Sequence, residues 1–69
     1  MKYKIDGNEV EINISDPSFN KGYFAGCDHP AFVKGNTLKE APDCSDINPY
    51  EVGTPQHLHF RAGFECAIL

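Results

Sequence analysis

Residues 57–69 read HLHFRAGFECAIL, and this stretch decides which fold the sequence predicts. With residues 62–64 as a three-residue loop, Arg61 lies opposite Glu65 and forms an oppositely charged cross-strand pair. The apolar side chains then share one face, namely Leu58, Phe60, Cys66 and Ile68. The pattern therefore predicts a β-hairpin over residues 57–69.

The N-terminal stretch, residues 2–15, predicts a second hairpin. A two-residue turn at Gly7-Asn8 places Lys4 opposite Glu11 on one face. The other face is then apolar and holds Tyr3, Ile5, Val10, Ile12 and Ile14. An apolar face opposite a charged face is typical of an antiparallel sheet with one side against a core.

The middle of the chain contains more turn signals than regular pattern. Tyr23-Phe24 and residues 31–33 are candidates for two short strands, separated and flanked by glycines. Residues 38–41 predict about one turn of helix, which Pro42 ends. Residues 42–56 hold three prolines and one glycine and predict a long loop, a kind of segment that is often functional.

The length of 69 residues predicts one domain over residues 1–69. A hydrophobic fraction of 41% with eight aromatic residues is enough for a folded chain and too much for a disordered tail. The predicted class is α+β and mostly β. It is a small antiparallel sheet of two hairpins, at about residues 2–15 and 57–69, with a loop-rich middle and at most one short helix.

The formal net charge of −4 lies in residues 40–60, which we call the acidic segment. Basic and acidic residues cancel in 1–39, with five of each, and again in 61–69, with one of each. The candidate partner-binding residues are four acids and one aromatic anchor: Glu40, Asp43, Asp46, Glu51 and Tyr50, with Ile47 as a further apolar contact. Carboxylates spaced in this way resemble the charges of a phosphate backbone. The alternative is a solvated loop that keeps the chain soluble.

Composition also predicts the compartment and the kinds of partner. The basic residues are few and scattered, so direct binding to nucleic acid is not expected. The sequence shows no apolar leader and no apolar stretch of membrane-spanning length, which predicts a cytoplasmic protein without a membrane partner. The odd number of cysteines, three, predicts reduced thiols. We expect a monomer that binds a protein with a basic, nucleic-acid-binding surface.

Two metal-binding hypotheses compete with this interpretation. The leading prediction is that the protein has no cofactor. A zinc-stabilised binding module would draw on Cys27, His29, Cys44, His57 and His59, but no C-x2-4-C or H-x3-5-H pair is present. The run TPQHLHFRAGFE resembles the first metal-binding motif of cupins, which would make His57, His59 and Glu65 the ligands. An enzyme is not predicted, because Cys27 and His29 lie two residues apart and the sequence indicates no pocket around them.

In size, acidity and lack of a catalytic motif, the chain resembles the small phage-encoded anti-CRISPR proteins. The resemblance includes no alignable motif and therefore transfers no residue roles. It implies an inhibitor that works as a DNA mimic, occupying the nucleic-acid site of a CRISPR effector complex in the host cytoplasm. In that case the acids of the acidic segment would contact the effector.

Overall fold

The computed structural model describes residues 1–29 and 43–69. In chain order these form strand β1 (Lys2–Ile5), strand β2 (Asn8–Glu11), helix α1 (Pro17–Cys27) and helix α2 (Pro55–Ile68). The two strands pair antiparallel, and the described residues contain no further strand. The prediction of a mostly β chain with at most one short helix is wrong, because the described ranges already hold two helices of 11 and 14 residues.

The second predicted hairpin is helix α2. Thr54 caps its start by accepting a hydrogen bond from the backbone N–H of His57, and Pro55 occupies the first turn. The Arg61–Glu65 pair exists, with Nε and Oε2 2.9 Å apart, but as neighbours one helical turn apart. Residues 62–64, the predicted loop, lie in the core, where Ala62 and Phe64 are 0% exposed. The buried residues of α2 also differ from the apolar face predicted for the hairpin, because Cys66 is exposed.

Helix α1 replaces one of the two short strands predicted in the middle of the chain. Asp16 accepts a hydrogen bond from the N–H of Ser18 at 2.9 Å, and Pro17 starts the helix, so this Asp-Pro pair begins a helix instead of ending a strand. Tyr23 and Phe24 are exposed on the helix. The strand predicted at 31–33 and the short helix predicted at 38–41 lie outside the described residues.

The N-terminal hairpin is confirmed, but its register differs by two residues. Ile5 lies opposite Asn8 and Tyr3 opposite Val10. The turn is Asp6-Gly7, whose φ angles of 53° and 82° are both positive, as a type I′ turn requires. A two-residue shift keeps the paired residues on their predicted faces, because side chains alternate along a strand. Ile14, also predicted on the apolar face, lies beyond β2 and is 56% exposed. The strand β2 ends at Glu11, before the predicted end at residue 15.

The two helices touch through their backbones. A Cβ atom at Gly22 would overlap the carbonyl oxygen of Phe60, and one at Gly63 would overlap that of Phe19. A Cβ at Gly26 would lie 2.7 Å from the Cβ of Ala67. The three glycines thus let the backbones of α1 and α2 approach each other closely. Neither is long and apolar enough to cross a membrane, within the part of the chain that the structure describes.

Helix α2 lies between two apolar clusters. On one side Ala62 packs with the hairpin and the start of α1. On the other side Phe60 and Phe64 pack with Cys44 and Tyr50 from the segment before the helix. The buried members of the two clusters are Ile5, Ile12, Phe19 and Ala62 in the first, and Cys44, Phe60, Phe64 and Ile68 in the second. Residues 43–54, which hold most of the predicted partner-binding residues, therefore pack against α2.

Candidate partner-binding surface

Residues 43–54 form turns without helix or strand, and internal hydrogen bonds fix their course. The N–H groups of Ile47 and Asn48 donate to the carbonyl oxygen of Cys44 at 3.1 and 3.0 Å. The side chain of Asn48 then accepts from the N–H of Tyr50 at 3.0 Å and donates to the carbonyl of His57, in α2, at 3.1 Å. These bonds hold the loop to itself through its backbone, and the Asn48 side chain ties it to α2.

Tyr50 fastens this loop to the helices. Its ring meets the ring of Phe60 edge-on, with centroids 6.3 Å apart. The ammonium of Lys21, from α1, lies 5.9 Å from the Tyr50 ring centroid, within the range of a cation–π contact. The Nδ1 atom of His57 lies 3.1 Å from the Tyr50 carbonyl oxygen. The ring predicted as an anchor for a partner is half-buried against the protein's own core.

The predicted acids have different surroundings. Asp43 is exposed, but its carboxylate accepts from the N–H of Ser45 at 2.9 Å and from the Ser45 hydroxyl at 3.0 Å. These bonds, the backbone one first, hold the pKa of the Asp43 carboxyl below its usual value. Asp46 and Glu51 are exposed as well. Glu40 lies outside the described residues.

Two exposed aliphatic side chains accompany the acids. Ile47 directly follows Asp46 and is 50% exposed, and Val52 directly follows Glu51 and is 78% exposed. Sequence reasoning identified Ile47 as a contact but missed Val52, which the repeated acid–aliphatic dipeptide could have indicated. We call these four residues, Asp46, Ile47, Glu51 and Val52, the acidic–aliphatic surface.

A second charged group joins the hairpin to α2, and it was not predicted as a whole. Arg61 binds the carboxylate of Asp6 through both terminal nitrogens, at 3.0 and 2.8 Å, and binds Glu65 through Nε. The hydroxyl of Tyr3 donates to Glu65 at 2.9 Å. Only the Arg61–Glu65 pair could be read from spacing, because the hairpin must fold onto α2 to supply Asp6 and Tyr3.

The charges of this network are paired with one another, with Asp6 at the surface and Glu65 closer to the interior. The pKa of Tyr3 is raised, by burial first and then by the hydrogen bond to Glu65. The Arg61 guanidinium holds the pKa of the Asp6 carboxyl below its usual value. Because Asp6 and Glu65 are both paired with Arg61, we interpret this group as a connection between the hairpin and α2 and not as a binding site.

The residues considered for zinc and for cupin-type metal binding are dispersed. The described ranges contain no group of three or more His, Cys, Asp or Glu side chains that could hold a metal ion. Both ring nitrogens of His59 face backbone groups, and Cys44 lies in the core. Burial raises the pKa of the Cys44 thiol. The pKa of the Cys66 thiol is raised as well, by desolvation from neighbouring atoms and then by the negative charge of Glu65, although the residue as a whole is exposed. Both thiols therefore stay protonated and weakly nucleophilic near neutral pH.

No family model, curated protein or solved structure matches the chain.

Proposed function

We propose that this chain is a small binding protein that inhibits a nucleic-acid-handling protein by occupying its basic surface. The observation that supports this proposal is the acidic–aliphatic surface, which extends from a loop that is itself held by buried Cys44 and half-buried Tyr50. A loop that is ordered before binding loses little conformational freedom on association, and this favours affinity.

The charge of the loop selects the class of partner. Residues 43–60 carry three acids, Asp43, Asp46 and Glu51, and neither Lys nor Arg. Electrostatic complementarity to a basic groove speeds association and makes it sensitive to salt. Proteins that bind a phosphate backbone present such grooves. DNA mimicry is therefore the mode of inhibition that the acids support.

The aliphatic residues add an anchor that nucleic acid does not offer. Side chains that become fully desolvated at the centre of an interface supply most of its binding energy. Ile47 and Val52, each exposed and next to an acid, would make such contacts in a groove with apolar patches. Binding would thus combine a salt-sensitive part from the acids with a salt-resistant part from the aliphatic pair.

A CRISPR effector complex is the partner to test first, because the chain resembles anti-CRISPR proteins in size and acidity. The function needs binding and no chemistry. The raised pKa values of Cys44 and Cys66 fit that requirement, since they leave these thiols poor nucleophiles. The inhibitor would act as a monomer in the host cytoplasm.

The test measures whether the protein displaces fluorescent target DNA from each of a panel of purified effector complexes. In the double variant Asp46→Lys/Glu51→Lys we expect inhibition to weaken by about tenfold or more. The control, Glu9→Lys/Glu11→Lys, makes the same change in net charge on the hairpin and should inhibit like the wild type. Asp43 is left unchanged, because its reversal would also break the turn with Ser45.

Three results would contradict the proposal. If no effector complex releases DNA, the anti-CRISPR assignment fails. If the two double variants lose inhibition equally, the acidic–aliphatic surface has no special part in binding. If inhibition is unchanged between low salt and about 1 M salt, where charges more than about 3 Å apart are screened, the electrostatic mechanism is wrong.

A further inference from the structure

The turn of the N-terminal hairpin carries a dipeptide that is open to a spontaneous covalent change. The chain contains Asp-Gly once, at Asp6-Gly7. An aspartate before glycine readily closes a five-membered ring with the next backbone nitrogen, because glycine has no side chain to obstruct the approach. The space where Gly7 would carry a Cβ is open, and the Asp6 side chain is 70% exposed. The turn itself therefore does not shield the reacting groups.

The chemistry of this change needs only water. The nitrogen of Gly7 attacks Cγ of Asp6, an N–Cγ bond forms, and one Cγ–O bond breaks. The departing oxygen leaves as water with the Gly7 amide proton and a proton from the solvent. A second water molecule then opens the ring at either carbonyl. Attack at Cγ restores aspartate, whereas attack at the other carbonyl breaks the original peptide bond and leaves isoaspartate, with the chain running through Cγ.

Arg61 holds the carboxylate that would have to react. Its two terminal nitrogens donate to the two oxygens of Asp6, at 3.0 and 2.8 Å, and such a bidentate pair fixes the plane of the carboxylate. Arg61 is itself held by Glu65, which accepts from Nε at 2.9 Å. Ring closure removes one Asp6 oxygen and turns Cγ toward the backbone, so the pair with Arg61 must open first.

The same pair keeps the carboxyl group of Asp6 in its less reactive form. The hydrogen bonds from Arg61, and then its positive charge, hold the pKa of this carboxyl below its usual value. A carboxylate is attacked less readily than a carboxylic acid, because an ionised oxygen is a poor leaving group. Geometry and charge therefore both slow the reaction in the folded protein.

The product does not fit this turn. Ile5 pairs with Asn8, which leaves only Asp6 and Gly7 between the strands, both with positive φ. Isoaspartate adds one carbon to the backbone between those two residues and moves the free carboxyl group to Cα. The type I′ turn and the bidentate pair with Arg61 would both be lost.

We propose that Asp6-Gly7 is a site of isoaspartate formation that Arg61 protects, so that the turn is modified only when the hairpin separates from α2. This inference is independent of the acidic–aliphatic surface and of the function proposed for it. The modified chain would accumulate with age, and its hairpin would lack one of its connections to α2.

The experiment incubates the whole chain for several weeks at 37 °C and neutral pH. Isoaspartate is quantified by enzymatic methylation of its free carboxyl group, and peptide mass spectrometry locates it in the chain. In Arg61→Gln we expect isoaspartate at position 6 to form about threefold to tenfold faster than in the wild type, as expected when a partly exposed bidentate ion pair is removed.

Three further variants separate protection by Arg61 from a general loosening of the fold. Glu65→Gln removes the other ion pair of Arg61 and alters the Tyr3 contact but leaves the pair with Asp6, so it should react like the wild type. Arg61→Lys keeps the charge without the bidentate geometry and should be intermediate. Asp6→Glu would have to close a six-membered ring, so the product at position 6 should disappear.

The proposal is overturned if Arg61→Gln reacts no faster than the wild type, or if Glu65→Gln accelerates the reaction as much as Arg61→Gln does. It is also overturned if the isoaspartate of the wild-type chain lies mainly at another aspartate. Should Arg61→Gln fail to fold, the same comparison is made between Arg61→Lys and Glu65→Gln, and equal rates in those two variants contradict the proposal.

Discussion

The contact between α1 and α2 and the loop at 43–54 both depend on α2, yet they respond to sequence in opposite ways. At the contact, a backbone oxygen occupies the place where Gly22 or Gly63 would carry a Cβ. In the loop, Val52 is 78% exposed and contributes little to the interior. We therefore expect the helix contact to require glycine at these positions, and we expect Val52 to be replaceable with little effect on stability.

Replacing Phe64 by alanine should have the largest effect. Phe64 is 0% exposed on the side of α2 that packs against the loop, so the cavity should lower the free energy of unfolding by about 3–5 kcal/mol. Phe24→Ala, the same change at a 67% exposed position of α1, should stay within about 0.5 kcal/mol of the wild type. Urea unfolding measures both, and equal losses would mean that the core is not where the structure has it.

The next effect is expected from Gly22→Ala. Alanine normally stabilises a helix by about 1 kcal/mol relative to glycine. Here its Cβ would meet the backbone of Phe60, so we expect a loss of about 1–3 kcal/mol instead. Asn20→Ala, on the exposed side of the same helix, serves as the control and should change little. A stabilised Gly22→Ala variant would show that the helices do not touch at this point.

Breaking the connection between the hairpin and α2 should lower the free energy of unfolding less than Phe64→Ala or Gly22→Ala does. Tyr3→Phe removes the hydroxyl that donates to Glu65 and should lower the free energy of unfolding at pH 7 by about 1 kcal/mol. Tyr23→Phe, at an exposed tyrosine, should leave it unchanged. If both variants behave alike, the Tyr3 hydroxyl has no such role.

The same tyrosine predicts a dependence on alkaline pH. Burial raises the pKa of Tyr3, so the unfolded chain loses this proton at a lower pH than the folded chain. The stability that Tyr3 contributes is therefore complete below about pH 10 and falls as pH rises above it. Tyr3→Phe should have a smaller fall over that range, and urea unfolding at pH 9 and 11 compares the two chains.

The start of α2 should give an effect of about the same size. Thr54→Ala removes the oxygen that accepts from the N–H of His57 and should lower the free energy of unfolding by about 1 kcal/mol. Thr54→Ser keeps a capping hydroxyl and should lose much less. An equal loss in both would point to packing of the threonine methyl group and not to capping.

The smallest effect on stability should come from the loop. Val52→Ser should stay within about 0.5 kcal/mol of the wild type, because little of this side chain is removed from water. If the proposed function holds, the same variant should weaken displacement of DNA from the effector complex. If Val52→Ser lowered the free energy of unfolding and left inhibition unchanged, Val52 would contribute to stability and not to binding.

Parts of this fold follow from local chemistry. The faces of the N-terminal hairpin come from its alternating side chains, and they survive a register error of two residues because the period of a strand is two. The correct turn was also available in the sequence, since Asp-Gly is a typical type I′ pair. Asp16-Pro17 and Thr54-Pro55, each a capping residue followed by proline, are start signals of helices that the hairpin interpretation overlooked.

The error at residues 57–69 has a physical origin. A hairpin with a three-residue loop and an α-helix both bring Arg61 next to Glu65, so that pair could not distinguish them. Gly63 favoured a turn, because glycine is a poor helix former. Its role in the helix is to let α2 approach Phe19, a partner 44 positions earlier that no local pattern reveals.

For the candidate surface, too, some features follow from the sequence and others depend on the tertiary structure. The sequence by itself determined the excess of acids at residues 40–60, the hairpin faces and the residues that begin each helix, because charge, alternation and capping are properties of neighbouring residues. Only the tertiary structure decided that Tyr50 points inward to Phe60 while Ile47 and Val52 stay exposed, and that glycines serve helix contact. These outcomes depend on which residues, distant in sequence, pack together, because that packing decides which side chains are buried.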